Sequence, residues 1–399
     1  MSTDSCLILV LNCGSSSIKY AVFEAHGNTV PRAPLWSGKV DDVGGDSPSY
    51  QEPRQPVEHV TLDEKAPYLA ALRLIRARVQ QHLGERSIQA VVHRVVHGGV
   101  KYFEPVRIDS TVLADLHSYI PLAPLHQPFA LEAVDALLVS APDLPQFACF
   151  DTAFHHTLPQ VEKILPLPWD AWKKGLRRYG FHGLSYEYIA TVLGERYAEA
   201  ATGRVIVAHI GNGASLCGMR NLESVTTTMG FSTLDGLMMG TRCGALDPGA
   251  ILYLMEIDKV PLETVGQILN SESGLLGVSG VSSDTRVLLE QETTNEQCRI
   301  ALELYVRSII REIGAVTALL GGLDMLVFTA GVGEHNAVIR ERVCKGLRYM
   351  GISLDDTANS QNASQISAEE SAIRVLVEPT NEEWVAAVHA KRLLRTGAF

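Results

Sequence analysis

Residues 9–23 read LVLNCGSSSIKYAVF, two apolar runs parted by a break of six small or polar residues. A break that short joins two strands only as an antiparallel hairpin, and apolar residues along both arms bury that hairpin inside a larger sheet. The break itself, GSSS at Gly14 to Ser17, has the composition of a flexible spacer. It also has the composition of a cradle, because small residues let several backbone N–H groups approach one phosphate, and Lys19 lies just beyond it.

The same order recurs once. VAHIGNGAS, like VLNCGSSSI, puts a small-residue turn between an apolar strand and a second strand, which is what two related domains facing one cleft would produce. At 399 residues and 43.4 kDa the chain has room for two such domains. A third small-residue turn, AGVGEHN from Ala330 to Asn336, follows a strand and opens a helix, whose N-terminus adds partial positive charge. None of the three fits GxxxxGK[ST] or a strand-to-helix GxGxxG, so a nucleotide site here needs phosphate turns of the strand-turn-strand kind.

Strand-like and helix-like runs alternate along most of the length, which predicts an α/β class. Strands are predicted over 7–12, 18–23, 36–40, 90–92, 147–150, 204–210, 325–329 and 373–377, with two more between 216 and 228. Helices are predicted over 67–83, with Pro at the first turn and Gly84 as a stop, over 129–138, from 185, near 295–320, from 338 and from 382. The stretch 41–64, rich in Gly, Pro, Ser and charge, reads as surface loop with irregular strand.

The net charge of −11 and a pI near 5.6 exclude a nucleic-acid surface or an anionic-membrane patch, since both need a basic face. Anions must then be handled by local arginines, backbone amides or a metal. The start MSTDSC has no positively charged leader and no run reaches 18 apolar residues, from which a soluble chain is expected. Seven cysteines without a CxxC pair fit a reducing cytoplasm.

Four segments carry groups suited to chemistry. HRVVHGG places Arg94 at the carboxyl end of a predicted strand, where open α/β sheets hold their ligands. FDTAFHH places Asp151 similarly, although an aspartate there also serves as an ordinary cap. RYGFHG supplies His182, and MMGTRCGALDPG supplies Arg242 between glycines that leave the backbone free to aim a guanidinium at an anion. Phosphoryl transfer asks for donors around the γ-phosphate, a divalent metal and a positioned nucleophile, and these groups meet that list.

LVLNCGSSSIKYAVF, HRVVHGG, APLHQP, FDTAFH, YGFHGLS, HIGNGAS, MGTRCGALDPG, SGLLGVSGVSSDTR, FTAGVGEHN and PTNEE, in this order and over nearly the whole length, resemble the signature segments of the acetate kinase family. The resemblance implies an α/β fold of two RNase H-like (actin-like ATPase) domains with an interdomain cleft. It assigns 1–152 plus a C-terminal helix 385–399 to the first domain, and 153–384 to the second, with nucleotide binding and dimerisation there. It further implies a cytoplasmic homodimer, ATP/ADP, Mg2+ with Mn2+ as a possible substitute, and acetate and acetyl phosphate as the other substrate pair, with no nucleic-acid or membrane partner.

Carried over by position, Asn12 and Glu382, the latter taken over Glu383, resemble the family's magnesium residues. Lys19, His209, Ile210, Gly211, Asn212, Gly213, Asp284, Thr285, Arg286, Gly331, Val332, Gly333, Glu334 and His335 match its ATP contacts. Arg94 matches the acetate-binding arginine, and Val96, Leu125 and Phe181 the pocket for the acetate methyl. Asp151, His182 and Arg242 match the catalytic set. Thr233 stands where many members have a proline lining the acetate pocket; Thr226 and His335 also depart from the common residues. A propionate or broader short-chain acyl kinase is therefore the alternative within enzymes, and an actin- or Hsp70-like ATP switch the alternative outside them.

Overall fold

The predicted hairpin forms the centre of a sheet. In the structure, a computed structural model that describes residues 5–396, β1 (Ser5–Cys13) and β2 (Ser17–His26) pair antiparallel from Ser5↔His26 to Cys13↔Ile18. Leu7 to Leu11 are all buried, as a strand covered on both faces requires.

The chain divides into two compact units: Met1–Ala153 with Asn381–Phe399, and Phe154–Thr380. Residues 1–4 and 397–399, on which the start of the first expected domain and the end of the expected C-terminal helix 385–399 fall, lie outside the described residues. The last helix opens at Glu382 and runs to Thr396.

In the first unit the remaining strands are β3 (Trp36–Asp41), β4 (Ser49–Gln51), β5 (Glu58–His59), β6 (Ala90–Val95), β7 (Val106–Arg107) and β8 (Gln146–Phe150). Their order is β5-β4-β3-β2-β1-β6-β8-β7, with β1–β6 and β6–β8 parallel. The helix Pro67–Leu83 has the bounds its periodicity predicts, ending at Gly84 with φ 60°, and buries Ala71, Ile75, Val79 and Leu83 against Leu7, Leu9 and Leu11. The helix Glu382–Thr396 packs on β1 and β6, burying Val385, Ala386, Ala387 and Ala390.

The second unit has β9 (Arg204–Ile210), β10 (Ala214–Arg220), β11 (Glu223–Thr227), β12 (Met325–Thr329) and β13 (Arg374–Val377) in the order β11-β10-β9-β12-β13. Here β9–β12 and β12–β13 are parallel and the rest antiparallel. The five central strands of the first sheet, β3-β2-β1-β6-β8, have the same order and the same directions. The two units thus share one strand plan, the hairpin with its small-residue turn coming first in each. The helix Glu296–Leu320 starts at Asn295, whose side chain accepts from Gln297 and Cys298 N–H, and ends at the left-handed Gly321.

Candidate active site

In the first unit, strand register brings the singled-out residues together. Asn12 is paired with Lys19 on β2 and with Arg94 on β6, so all three point to one face where the parallel strands end. Arg94 is paired with Cys149, and Asp151, two residues further on, returns to the same face. Arg94 Nε donates to Asp151 Oδ1 at 2.8 Å and Nη2 donates to Oδ2 at 2.7 Å, a two-toothed fork, while Nη1 lies 2.9 Å from Glu382 Oε2. The Asp151 side chain is 4% exposed and that of Arg94 20%.

Burial works against charge on Arg94, but Asp151 and Glu382 more than offset it and hold the guanidinium above its ordinary pKa. Burial, with Asp151 and Glu383 nearby, pushes the Glu382 carboxyl up to about 7 against the opposing pull of Arg94. Glu383 and Lys19 line a cavity of about 490 Å³ beside Lys39 and Asn381. The Gly14–Ser17 turn is closed by Gly14 N–H donating to Ser17 O at 2.8 Å, and Val43 N–H fixes Ser16 O at 2.9 Å. Val96 is half-buried and Leu125 is 50% exposed.

In the second unit, three distant segments converge on a cavity of about 410 Å³. Gly211 and Asn212 from the β9–β10 turn, Asp284, Thr285 and Arg286 from a helix start, and Gly331, Val332 and His335 from the segment after β12 all line it. Gly240 lines it too, and a Cβ there would come 2.2 Å from Asn212 Oδ1, so any side chain at this position would push the Asn212 amide aside. Asp284 caps its helix by accepting from Arg286 N–H at 2.8 Å, and the Arg286 guanidinium beside it holds its carboxyl below the usual range.

Other residues singled out from the sequence take different places. Ile210 is buried in the core, so only its backbone is available to a ligand. Glu334 turns back to accept from Ala330 N–H at 2.8 Å and Thr380 N–H at 3.1 Å, bracing the turn instead of lining the cavity. Gly333 is buried within the helix Ala330–His335 that follows β12, and Phe181 is 1% exposed. Thr233 offers its carbonyl to Arg242 Nη1 at 3.4 Å, a contact that a proline there would also provide.

His182 and Arg242 meet around Gly213, where a Cβ would lie 3.5 Å from His182 Nε2 and 3.3 Å from Arg242 Nη1. Burial draws the Arg242 pKa down. His182 stacks on His209 with ring centroids 4.0 Å apart. Ser215 reaches His182 Nδ1 at 2.8 Å, and Ser185 reaches His209 Nδ1 at the same distance. The sequence reasoning did not single out Ser185, Tyr186 or Ser215 as functional. Their signals were available, since Ser185 and Tyr186 follow His182 at helical spacing and Ser215 closes the GNGAS turn.

The sequence model of the acetokinase family matches residues 7–388. The chain belongs to the acetokinase family. An acetate kinase of Rhodopseudomonas palustris is 45% identical over 397 residues, covering 98% of this chain and 99% of that one. Among solved structures, the acetate kinase of Porphyromonas gingivalis is similar with a TM-score of 0.87 and 37% identity, covering 98% of this chain and all of that one. A propionate kinase of Francisella tularensis is similar with a TM-score of 0.88 and 31% identity, covering 96% and 98%. Membership of this family makes the protein a kinase that uses ATP.

Proposed function

We propose that the protein transfers the γ-phosphoryl group of ATP reversibly to acetate, giving acetyl phosphate and ADP by direct in-line displacement. The observation that carries this reading is the Arg94 fork. A guanidinium held by a buried aspartate at the carboxyl end of a parallel strand is a fixed receptor for a small carboxylate. A protein that used ATP only to switch conformation would have no use for it.

Acetate, with a pKa of about 4 to 5, is already ionised at neutral pH and has no proton for a base to remove. Asp151 therefore acts by orienting Arg94. Unscreened, the approach of a carboxylate to a triphosphate costs on the order of several kcal/mol in a low-dielectric site. Arg94 offsets the charge of acetate, and Arg242 with His182 donates to the transferring phosphoryl group. The 410 Å³ cavity of the second unit takes the nucleoside, and the small-residue turns take its phosphates.

Mg2+, with Mn2+ as a substitute, fits the first unit's charge. Asp151 and Glu382 both reach Arg94, and Glu383 follows Glu382; burial first, then Asp151 and Glu383, raises the Glu382 carboxyl against the pull of Arg94, and a divalent ion there would supply further positive charge. Asn12 and Glu382 would hold it. Magnesium sites of this kind use one or two side chains and take their remaining ligands from phosphate and water. When bound, the ion screens the phosphate oxygens.

Propionate is a second substrate on this reading. One methylene in an apolar pocket discriminates by only about 1–3 kcal/mol, and a structural relative is a propionate kinase. Trapping acyl phosphates as hydroxamates with ATP and acetate, propionate or butyrate ranks the acceptors. ATP turnover independent of acetate, with no acyl phosphate formed, would overturn the reading.

A homodimer through the second unit is part of the proposal. The helix Pro248–Glu256 (PGAILYLME) buries none of its residues, and Leu252, Tyr253, Ile257 and Leu262 are 54–71% exposed, an apolar face that a second copy would cover. Sedimentation of the wild type against Leu252→Glu/Tyr253→Glu tests it: a monomeric wild type would sink the idea. No described helix is long and apolar enough to cross a membrane, and the cytoplasm, where ATP is made and used, is the proposed location.

A further inference from the structure

His182 has φ 59° and ψ 25°, a left-handed conformation, just before the helix Gly183–Tyr197. The conformation turns its imidazole back over β9 and β10, where Ser215 Oγ lies 2.8 Å from Nδ1 and 2.5 Å from the Tyr186 hydroxyl. Ser215 and Tyr186 are both fully buried. Nε2, the other edge of the ring, faces Gly213 and Arg242.

Counting protons along this chain decides which nitrogen carries one. Burial keeps the Tyr186 phenol protonated by raising its pKa well above the ordinary value, and among the described residues its hydroxyl has Ser215 Oγ as its hydrogen-bond partner. If Tyr186 donates to Ser215, and Ser215 donates to His182 Nδ1, both buried hydroxyl protons have acceptors and the imidazole's own proton sits on Nε2. If instead Nδ1–H donates to Ser215, Ser215 either donates to Tyr186 and leaves the phenolic proton without an acceptor, or accepts from Tyr186 as well and leaves its own buried hydroxyl proton without one among the described residues. An imidazolium brings the same conflict. Stacking on His209, with ring centroids 4.0 Å apart, also bars the two rings from being charged at once, since two cations at that distance repel strongly away from water.

We propose that Ser215, backed by Tyr186, is a positioning residue that holds His182 as the neutral Nε2–H tautomer, making it a hydrogen-bond donor to the transferring phosphoryl group and not an acid. The inference rests on the reading of His182 in phosphoryl transfer. It predicts that the Tyr186–Ser215 pair matters to the chemical step more than to nucleotide binding.

The test is a 15N spectrum of the full chain labelled at histidine, at neutral pH, with the His182 signals assigned by their loss in His182→Gln. The expected pattern is an unprotonated Nδ1 and a protonated Nε2. Ser215→Ala should move the two nitrogens toward a tautomer mixture and lower kcat by about tenfold or more, leaving KM for ATP within about twofold. Tyr186→Phe, which adds no volume, should keep the tautomer and cost kcat only a few-fold. A protonated Nδ1 in the wild type, or a Ser215→Ala spectrum with the His182 pattern unchanged, overturns the inference; the wild-type spectrum decides even if a variant fails to fold. Full activity in His182→Gln beside the expected wild-type pattern would instead overturn the role of His182 in the reaction.

Discussion

Asp151 gives both of its carboxylate oxygens to one edge of Arg94, across 57 residues of sequence, and so fixes the guanidinium's plane as well as its position. Asp151→Asn keeps one acceptor and turns an amide NH2 toward the other guanidinium nitrogen. It should lower kcat by about a hundredfold or more, since misplacing a positioning group by an ångström has that effect. Every limb of the pH-rate profile should survive the substitution. Disappearance of one would mean that Asp151 transfers a proton.

Two residues inserted after Ser16 lengthen the Gly14–Ser17 turn without touching the core, because Ser15 and Ser16 are exposed. Loop lengthening of this size costs about 0.6 kcal/mol or less, so the melting temperature should fall by only a few degrees. A cradle, however, depends on where its N–H groups point, and activity should be abolished. Retained activity would mean that the turn is a spacer.

Gly240→Ala forces a methyl against Asn212 Oδ1 at the wall of the second unit's cavity. Displacing the Asn212 amide reshapes the cavity wall, and a cost of about 1–3 kcal/mol would read in calorimetry as a roughly fivefold or greater loss of ADP affinity. The KM for acetate should stay near its wild-type value. Equal loss for both ligands would argue against a nucleoside in that cavity.

Arg340 is fully buried and donates five hydrogen bonds: to Gly333 O, Glu334 O, Asn359 Oδ1, Asn359 O and Asn362 Oδ1. None of these acceptors is a carboxylate, and burial draws the guanidinium's pKa down to about 10. Arg340→Lys cannot reach all five and should destabilise the fold by about 2–4 kcal/mol in urea titration. Because the group ties down the segment that carries Gly331, Val332 and His335, ADP affinity should fall as well. A fully stable variant would show that water replaces the lost donors.

His93 and His97 are both buried, and burial pulls each pKa down to about 4. The unfolded chain takes up protons at these residues near pH 6.5, before the folded one does. Their contribution is therefore intact above about pH 6.5 and lost progressively as the pH falls toward 4, by about 3 kcal/mol for each. Replacing His93 with Gln should flatten the dependence of unfolding free energy on pH in that window. An unchanged slope would mean that His93 titrates alike in both states.

Much of the fold was legible because its periods are strong. Pro67–Leu83 carries its own start, stripe and stop, and β9 and β12 are continuous apolar runs bounded by turn residues. The helix Ser110–Ser118 was not predicted, since it buries only Leu116 and has little apolar stripe to betray it. The short pairs β4–β5 and β7 exist through their neighbours, not through propensity. At the site, the order of the motifs named its members but not their contacts. Nothing local to Arg94 says that Asp151 and Glu382 will grip it, because sheet register and the return of the last helix make that meeting. Ser215 and Tyr186 were hidden for a related reason: a hydroxyl's part in a relay appears only when its partners do.

The last helix belongs to the first unit, yet residues 381–396 leave the ribosome only after the whole second unit has been made. A nascent chain can fold Phe154–Thr380 while the first sheet still lacks the helix that covers β1 and β6 and the carboxylate that meets Arg94. A chain cut short in synthesis thus presents a bare apolar sheet face to the cell's proteases and chaperones, and its Arg94 keeps the Asp151 fork but lacks the Glu382 contact.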